Sequence, residues 1–484
     1  MRTRPFLMAT CLLASGLTPL ALAVPAAHAA TPAAPYDFNG DGYRDLAIGA
    51  PGATVGGKTK AGAVSVVYGS STGLRTTKYQ TITQNSTGVP GSAETSDAFG
   101  KAVTSADLDR DGYADLVVGA PSEDIGYEIN PDPDDGTVVI LWGGTAGLSG
   151  ASTLENVISN DRDHYGQALT AGDFDGDGDD DIAVGATGNS NITIMKGPFA
   201  RSGEHMSGST TAGMGYGSRP FNDTYGVEYL SSGDVLGAGF DSLIVHGRAK
   251  GTDDAITAWA DGRITNFTDW LEYLPGGYVS SVADVNKDGY ADIVTGNHRE
   301  SAADPSGALG GKVTLVYGAA EAQFTENRKT ASYTQATTGV PGAPESGDGF
   351  GGGVSLGDIN GDGHADLAVG ATYESFGASE DTGTVTILYG SKTGFSATGA
   401  LTLSQSTSGV PGTSEHNDRF GGRVLLADTV KDGKADLTVA GPGENGSDGA
   451  VWSFKSLTNG SVFGPSATGV STSGAPAFGT TLGS

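Results

Sequence analysis

The hydrophobic residues of this chain occur in short, β-branched runs that recur at regular intervals. Apolar and polar residues alternate at 63–68, 137–142, 312–317 and 384–389. Alternation with a period of two predicts β-strands rather than helices. Each alternating run follows a continuous apolar run, such as 46–49, and a less regular run, such as 81–84, comes after it. Together with a strand before the first of these runs, this pattern predicts four-stranded units.

A nine-residue acidic loop precedes the continuous apolar run and is most complete at 107–115. Its positions 1, 3, 5 and 9 are Asp107, Asp109, Asp111 and Asp115. Gly112 stands at position 6, where a tight turn needs a positive φ. An EF-hand loop begins in the same way but needs a bidentate Glu at position 12, where this chain has Val118 inside a strand-like run. We therefore predict a cage of hard oxygens for a cation, in a loop that joins two strands.

Five intact copies of the loop supply the predicted metal ligands. In order, their side chains at positions 1, 3, 5 and 9 are Asp37, Asn39, Asp41 and Asp45; Asp107, Asp109, Asp111 and Asp115; Asp173, Asp175, Asp177 and Asp181; Asp284, Asn286, Asp288 and Asp292; and Asp358, Asn360, Asp362 and Asp366. Hard oxygen ligands favour Ca²⁺ over Mg²⁺, which prefers small octahedral sites that retain water. We predict about five calcium sites.

Two further copies of the loop are degenerate. The copy that starts at Asp234 has Leu236 and Ala238 where oxygen ligands are needed, and we predict no metal there. The copy that starts at Asp428 has Val430 at position 3, which predicts a weak or empty site. The seven loops begin at residues 37, 107, 173, 234, 284, 358 and 428, a mean spacing of about 65 residues. A repeat of this length with four short strands is typical of a propeller blade.

An aromatic-glycine pair precedes most of the loops and marks the first strand of each unit. The pairs are Phe99-Gly100, Tyr165-Gly166, Tyr225-Gly226, Phe350-Gly351 and Phe420-Gly421. The fifth unit lacks the pair in register, and Tyr278 is its nearest aromatic residue. A last pair, Phe478-Gly479, has no loop after it, so residues 478–482 are predicted to supply the first strand of blade one. A ring closed in this way leaves no open sheet edge.

Three linkers between units are near copies of one another. Each runs from Gly-Val-Pro-Gly through a Glu and an Asp to the aromatic-glycine pair; the Glu and Asp residues are Glu94, Asp97, Glu345, Asp348, Glu415 and Asp418. Their similarity predicts a shared structural role. The sequence therefore predicts an all-β, seven-bladed propeller over residues 30–484, closed by its C-terminal strand.

The N-terminus resembles a secretory signal. Basic residues at 2–4 precede an apolar run, and Ala27-His28-Ala29 supplies an Ala-x-Ala cleavage signature, so residues 1–29 are predicted to be removed. The only cysteine, Cys11, lies in this segment, which leaves the mature chain without disulfides. Bound metal can brace the domain instead. The formal charge of −29 argues against nucleic-acid and anionic membrane partners.

The aromatic-glycine pair, the Asp loop and the Gly-Ala-Pro that follows it at 49–51 and 119–121 resemble the FG-GAP repeat. This family includes the head of integrin α-subunits and the C-terminal region of glycosylphosphatidylinositol-specific phospholipase D. This chain resembles a secreted bacterial member of the family. The resemblance implies a seven-bladed propeller with calcium in the hairpin loops. It also implies backbone carbonyl ligands at position 7, contributed by Tyr43, Tyr113, Asp179, Tyr290 and His364.

The sequence contains no compact catalytic motif. Gly69-Ser70-Ser71-Thr72-Gly73 matches a serine-hydrolase pattern but follows a strand within a blade, so we interpret it as a turn. The histidines are scattered over different units. The long loops 122–135 and 372–382 mix acids with aromatics, including Tyr127, Tyr373 and Phe376, and are candidates for recognition.

We therefore expect a secreted, extracellular, monomeric module, without a membrane span, that binds a protein or a glycan and carries out no chemistry. The alternative is a secreted hydrolase or polysaccharide lyase with a site on one propeller face, of the type associated with phospholipase D. A structural protein of the cell envelope is a third possibility. Propellers serve as binding modules and as enzymes, so the fold does not decide between these hypotheses.

Overall fold

The computed structural model describes residues 31–124, 134–154, 164–187, 191–202, 209–213, 221–261, 272–300, 304–376 and 379–483. The predicted signal peptide, residues 1–29, lies outside the described residues. Strands in the described ranges form seven antiparallel sheets of four strands each. The predicted all-β, seven-bladed propeller is confirmed. Within these ranges, no helix is both long and apolar enough to cross a membrane.

The strands follow one another along the chain in regular groups. They are β1 (Leu46–Ala50), β2 (Ala63–Val67), β3 (Tyr79–Ile82), β4 (Ala102–Ala106), β5 (Asp115–Ala120), β6 (Thr137–Leu141), β7 (Ala151–Leu154), β8 (Ala168–Gly172), β9 (Asp181–Gly185), β10 (Asn191–Met195), β11 (Ser209–Gly213), β12 (Val227–Gly233), β13 (Ser242–Arg248), β14 (Ala255–Ala260), β15 (Glu272–Leu274), β16 (Val279–Ala283), β17 (Asp292–Asn297), β18 (Lys312–Val316), β19 (Thr330–Tyr333), β20 (Phe350–Gly357), β21 (Asp366–Ala371), β22 (Thr384–Tyr389), β23 (Ser396–Leu403), β24 (Arg423–Ala427), β25 (Asp436–Gly441), β26 (Ala450–Phe454), β27 (Ser461–Phe463) and β28 (Thr481–Gly483). Two short helical segments, Glu321–Glu326 and Glu444–Ser447, and a 3-10 turn, Pro465–Thr468, lie between strands.

Six blades use four consecutive strands, β4–β7 through β24–β27, and blade 1 has the order β28-β1-β2-β3. The first strands of neighbouring blades contact one another around the ring. In blades 2 to 7 the acidic loop joins the first and second strands of its blade, as predicted, and in blade 1 it leads into the second strand, β1. We call the end of the propeller that carries these loops the loop face. The opposite end, which carries the three similar linkers at 87–98, 338–349 and 408–419, is the linker face.

The middle strands of each blade are buried on both sides, because every blade packs between two others. All five residues of β2 are buried. Val64 and Val66 pack with Leu116 of blade 2, whereas Ala63 packs with Val451 of blade 7. Successive side chains of a strand point to opposite faces, so one alternating run contributes to two separate cores. The core of the molecule is therefore a series of apolar layers between blades.

The C-terminal strand closes the ring as predicted. In blade 1, β28 pairs antiparallel with β1, with Ile48 opposite Leu482. The Gly479 N–H donates to the Gly49 carbonyl at 3.0 Å. The Phe478 side chain is fully buried and its ring centre lies 6.2 Å from that of Phe463. The first strand of blade 1 therefore comes from the end of the chain and completes this blade to four strands.

Three details differ from the sequence pattern or refine it. The outer strand of blade 1 ends at Ile82, because the Thr83 N–H bonds to Ser86 Oγ at 3.0 Å and begins a turn. In blade 5 the glycine precedes the aromatic residue, as Gly277-Tyr278. Tyr278 donates its N–H to the Gly296 carbonyl, just as Gly100 of the aromatic-glycine pair in blade 2 donates to the Gly119 carbonyl. The Gly-, Ser- and Thr-rich stretch 198–225 contributes β11, the outer strand of blade 3.

Candidate metal centres

The first aspartate of each loop shapes the turn. Asp107 Oδ1 accepts the Asp111 N–H at 3.1 Å, and its Oδ2 accepts the Gly112 N–H at 3.0 Å. Gly112 has φ of +91°, a conformation that glycine adopts without a steric penalty. The bond from the position-6 glycine to the first aspartate recurs in all seven loops, including those that start at Asp234 and Asp428. The first aspartate therefore has a local role that does not require a metal.

The last aspartate of each intact loop is buried and joins the loop to the third strand. Asp115 is fully buried; its Oδ2 accepts the Leu108 N–H at 2.9 Å and its Oδ1 accepts the Gly143 N–H at 2.8 Å. Burial, with Asp109 and Asp107 nearby, raises the pKa of Asp115 to about 8. The matching glycine bonds in the other intact loops are Gly69 to Asp45, Gly197 to Asp181, Gly318 to Asp292 and Gly390 to Asp366. Burial likewise raises the pKa of these four aspartates, to about 7 for Asp45, Asp181 and Asp292 and to about 6 for Asp366.

The structure brings ligand oxygens together in the second and third loops. Oxygen atoms of Asp107, Asp109 and Asp115 all lie within 4.8 Å of one another. Oxygen atoms of Asp173, Asp175 and Asp177 do the same. Side chains separated by up to eight residues thus converge, because the loop turns back on itself around Gly112 or its counterpart.

The middle ligand positions are ordered by short-range hydrogen bonds. Where position 3 is an asparagine, its side-chain oxygen accepts the N–H of position 5, at 2.9 Å from Asp41 to Asn39. The same bonds join Asp288 to Asn286 and Asp362 to Asn360. The residue at position 7 of every intact loop donates its N–H to the carboxylate at position 5; these residues are Tyr43, Tyr113, Asp179, Tyr290 and His364. The metal ligation predicted for the backbone carbonyls of these five residues stays a prediction.

Basic side chains that the sequence analysis missed lie against several loops. Arg201 Nε is 2.5 Å from Asp109 Oδ2, and its Nη2 also contacts Asp111. Lys196 Nζ is 2.8 Å from Asp175 Oδ2, and Arg110 contacts Asp179 in the next loop. No motif marks these pairs, since Arg201 is about 90 residues from its partners in the chain. They offset part of the negative charge of the second and third loops.

The donor set of the intact loops fits Ca²⁺. Loop 107–115 presents four carboxylates and no nitrogen or sulfur donor. The one described cation that pairs with them is Arg201, which leaves an excess of negative charge. Buried carboxylates need a compensating charge, and Ca²⁺ takes six to eight oxygen ligands at about 2.3–2.6 Å in flexible geometry.

The two degenerate loops keep the turn but lack oxygen ligands, at several positions in blade 4 and at position 3 in blade 7. In blade 4, position 9 is Ser242, which is fully buried and whose Oγ has no hydrogen-bond partner in the described structure. In blade 7, Val430 is buried at position 3, and Lys434 donates to the Asn360 carbonyl at 2.9 Å. These replacements are consistent with the predicted loss of metal binding in blade 4 and weak or absent binding in blade 7.

Backbone hydrogen bonds join several pairs of neighbouring loops. The Ala114 N–H donates to the Asp37 carbonyl at 3.1 Å, and Ala435 donates to Asp358 at 2.7 Å. Hydrogen bonds of the same kind run from Asp241 to Asp173 and from Ala291 to Asp234. A change of conformation in one loop is therefore transmitted directly to the adjacent blade.

The linker face carries the candidate recognition residues. Tyr373 and Phe376 are exposed by 37% and 41%, although most large apolar side chains of the described residues are buried. The Arg419 guanidinium lies 5.6 Å from the centre of the Tyr373 ring. Tyr127, the third aromatic of this hypothesis, lies outside the described residues.

The central channel is the feature that bears on the enzyme alternative. Its cavity, of about 240 Å³, is lined by Lys101, Glu228 and Arg423 among others. Both carboxylate oxygens of Glu228 bond to Arg248, and the described residues of the lining include no histidine. The cavity thus contains the basic side chains Lys101 and Arg423 and one acid, Glu228, whose carboxylate is already paired with Arg248.

The motif at 69–73 and the buried histidine of blade 4 have structural roles. The Gly73 N–H donates to the Ser70 carbonyl at 2.9 Å, which makes this segment the turn between β2 and β3, as interpreted. His246 is fully buried and hydrogen-bonds to the Gly277 carbonyl at 2.9 Å and to Ser280 Oγ at 2.7 Å. Ser280 is itself only 2% exposed, so this pair has little access to solvent.

Comparison with known proteins places the repeats on the same five blades as the intact loops. The FG-GAP repeat model matches residues 30–67, 99–141, 165–197, 276–316 and 350–388. Phosphatidylinositol-glycan-specific phospholipase D of Rattus norvegicus is 32% identical over 194 residues, which cover 40% of this chain and 21% of that protein. Integrin alpha-PS2 of Drosophila melanogaster is 26% identical over 239 residues, 46% of this chain and 16% of its own. Integrin alpha pat-2 of Caenorhabditis briggsae is 45% identical over 89 residues, 18% of this chain and 7% of its own.

The similarity is confined to part of each relative, since the aligned segment spans about a fifth of the phospholipase and less of the integrins. Blades 4 and 7, whose loops are degenerate, are outside the matched repeats. The five matches coincide with the five loops that keep all ligand positions. The chain therefore carries five FG-GAP repeats in a seven-bladed propeller, and an integrin α N-terminal-like propeller fits this arrangement.

Proposed function

We propose that this protein is a secreted propeller that binds Ca²⁺ in five loops and uses its linker face to bind an extracellular protein or glycan. The observation that supports the calcium sites is the convergence, within 4.8 Å, of oxygens from Asp107, Asp109 and Asp115. The ligand set in each loop is the side chains at positions 1, 3, 5 and 9 and the carbonyl at position 7. When bound, Ca²⁺ supplies positive charge and no redox chemistry.

Calcium acts here as a structural ion. The position-9 carboxylate of loop 107–115 reaches the backbone just after the third strand of its own blade, and the backbone of this loop reaches the neighbouring blade through the bond from Ala114 to Asp37. An ion held by such a loop therefore stabilises two blades. Because the mature chain has no cysteine, this role replaces the disulfides that many exported domains use.

Recognition is assigned to the linker face. The exposed aromatic pair Tyr373 and Phe376 lies there, beside Arg419. Tyrosine and arginine are the residue types most often found at the energetic centre of binding surfaces. The relatives named as integrins are consistent with a binding role, and we extend that role to this chain as part of the proposal.

The calcium assignment is tested by counting ions in the mature protein after dialysis. We expect about five tightly bound Ca²⁺ per chain. The double variant Asp111→Ala, Asp115→Ala should hold one fewer ion, because it removes two of the four carboxylates of its loop, and should destabilise blade 2. An unchanged count would show that this loop is not a calcium site.

Asp234→Ala is the matched control for that experiment. Asp234 accepts the N–H groups of Ala238 and Gly239, as Asp107 does in its own loop, but its loop lacks the other ligands. The variant should therefore lose turn stability without any change in the number of bound Ca²⁺. A loss of one ion here would contradict the assignment of the degenerate loop.

The recognition surface is tested with arrays of immobilised polysaccharides and extracellular-matrix proteins. Any array component that the wild type binds should be bound at least tenfold more weakly by Tyr373→Ala, Phe376→Ala, since truncating central aromatic residues costs about 2 kcal/mol or more each. Val462→Ala, in the outer strand β27 and 40% exposed, is the control and should bind normally. Equal binding by the wild type, the double variant and the control would show that the binding site does not include Tyr373 and Phe376.

A further inference from the structure

The three similar linkers end in three clusters of oxygen atoms that the calcium loops do not use. Each cluster combines a glutamine, two residues after the outer strand of one blade, with an aspartate and a glutamate of the next blade. The members are Gln84, Asp97 and Glu123; Gln335, Asp348 and Glu374; and Gln405, Asp418 and Glu444. We call these the junction clusters, because they lie at the junctions of blades 1 and 2, 5 and 6, and 6 and 7.

The hydrogen bonds are the same in all three junction clusters. In the cluster between blades 5 and 6, Gln335 Nε2 donates to Glu374 Oε2 at 2.7 Å. The Glu345 N–H donates to Asp348 Oδ2 at 2.7 Å. The corresponding bonds run from Gln84 to Glu123, from Glu94 to Asp97, from Gln405 to Glu444 and from Glu415 to Asp418. Three copies of one arrangement argue for a common purpose.

Each junction cluster contains a buried amide oxygen with no partner. Gln84, Gln335 and Gln405 are exposed by 2%, 6% and 4%, and the Oε1 atom of each accepts no hydrogen bond in the described structure. A buried acceptor without a donor is destabilising, so its repetition in three places points to a missing partner. The Nε2 atom of each amide already donates to the glutamate, so turning the amide over to give its oxygen a donor would break that bond.

In the junction cluster between blades 5 and 6, the free amide oxygen lies beside other oxygens. Gln335 Oε1, the Glu345 carbonyl oxygen and Asp348 Oδ2 lie 3.0, 3.1 and 3.2 Å from the position that a Cβ on Gly310 would occupy. The amide oxygen that lacks a donor therefore faces the same region as a buried carboxylate. Oxygens from two segments, the Gln335 side chain and the linker that carries Glu345 and Asp348, meet at this point, and all are hard donors.

The charge of the junction clusters is not balanced by a basic residue. No lysine or arginine in the described ranges pairs with Asp97, Asp348 or Asp418 or with the three glutamates. Burial, with Asp348 nearby, raises the pKa of Glu374 to about 7. Burial and the neighbouring aspartate do the same for Glu123 and Glu444. Two acids and an unpaired amide oxygen thus lie together without a compensating cation.

We propose that each junction cluster is a further site for a hard divalent cation of the Ca²⁺ class. The ligands are the Gln Oε1 atom and carboxylate oxygens of the Asp and the Glu, which is the oxygen-only donor set that such ions prefer. The ion joins two blades on the linker face, at a distance from the loops on the opposite face. These sites have fewer charged ligands than the loops and bind more weakly.

The test compares bound Ca²⁺ by equilibrium dialysis at millimolar CaCl₂ in the wild type and in a variant with all three junction clusters neutralised. The variant carries Asp→Asn at 97, 348 and 418 and Glu→Gln at 123, 374 and 444, so side-chain shape is kept. We expect the variant to bind three fewer ions than the wild type. This difference does not depend on how many loops are occupied, so failure of the loop assignment and failure of this proposal are distinguishable.

Equal counts in the two proteins would overturn the proposal, because the acids would then share protons instead of an ion. If the sixfold variant does not fold, Gln335→Leu is used, which removes the unpartnered oxygen and keeps both acids. It should bind one ion fewer than the wild type, whereas a cluster held by shared protons would leave the count unchanged.

Terbium luminescence gives a second readout at one junction cluster. The Trp452 ring and Gln405 Nε2 lie 3.8 and 3.3 Å from the position that a Cβ on Gly412 would occupy, so the indole adjoins the cluster of Gln405, Asp418 and Glu444. Terbium bound there should be excited through Trp452. Asp418→Asn, Glu444→Gln should lower tryptophan-excited emission, and Asp348→Asn, Glu374→Gln should lower it less. Unchanged emission in the first variant would contradict the site.

Discussion

We expect the mature protein to melt on the order of 20 °C lower in excess EDTA than in millimolar CaCl₂. An ion that binds only the folded state contributes about 2.7 kcal/mol when its concentration is 100 times the dissociation constant. Five such sites contribute about 13 kcal/mol, which is comparable with the whole stability of many proteins. Differential scanning calorimetry in the two buffers measures the shift.

Ionic strength is the essential control, because a chain with a formal charge of −29 is stabilised by any screening salt. The EDTA sample is therefore matched with NaCl, and a third sample contains MgCl₂. Magnesium should restore less stability than calcium, since it retains its water and suits flexible loops poorly. If NaCl alone restored the melting temperature, the loops would be acidic turns without a specific ion.

Phe478→Ala should lower the free energy of unfolding by about 3–5 kcal/mol, the usual cost of deleting a buried phenylalanine. Phe478 is fully buried between blades 7 and 1, against Phe463, just before the strand that closes the ring. The substitution leaves a cavity at the one junction where the two ends of the domain meet. Urea unfolding followed by tryptophan fluorescence measures the change.

Phe376→Ala provides the matched control, because Phe376 is 41% exposed on the linker face. Its loss should change the free energy of unfolding by no more than about 0.5 kcal/mol. Similar costs for the two variants would mean that the closure of the ring contributes little to stability. A larger cost for Phe478→Ala supports a propeller whose blades depend on the last strand.

Much of the loop geometry was predictable, because a tight turn is determined by residues close together in the chain. Acids at alternate positions, glycine at position 6 and an apolar run afterwards specify a hairpin loop by themselves. The sequence did not indicate that position 4 also has positive φ when it is not glycine. Arg110 and Lys287 have φ of +55° and +62° there.

Contacts between blades could not be predicted in the same way. Arg201 reaches Asp109 and Asp111 from the following blade, and Gln335 reaches Glu374 across a junction. The near-identical linkers showed that something was repeated, but not that glutamine amides and acids would meet there. In blade 5, Gly277-Tyr278 stands directly before the first strand, where other blades have an aromatic-glycine pair.

The sequence by itself determined the number of blades, their four strands, the five intact loops and the origin of the closing strand. These features follow from local periodicity and turn chemistry, which are written in consecutive residues. Only the tertiary structure decided which charges meet, which oxygens lack a partner and which aromatics face solvent. Those properties depend on the packing of each blade against its neighbours, where residues far apart in the chain share one low-dielectric environment.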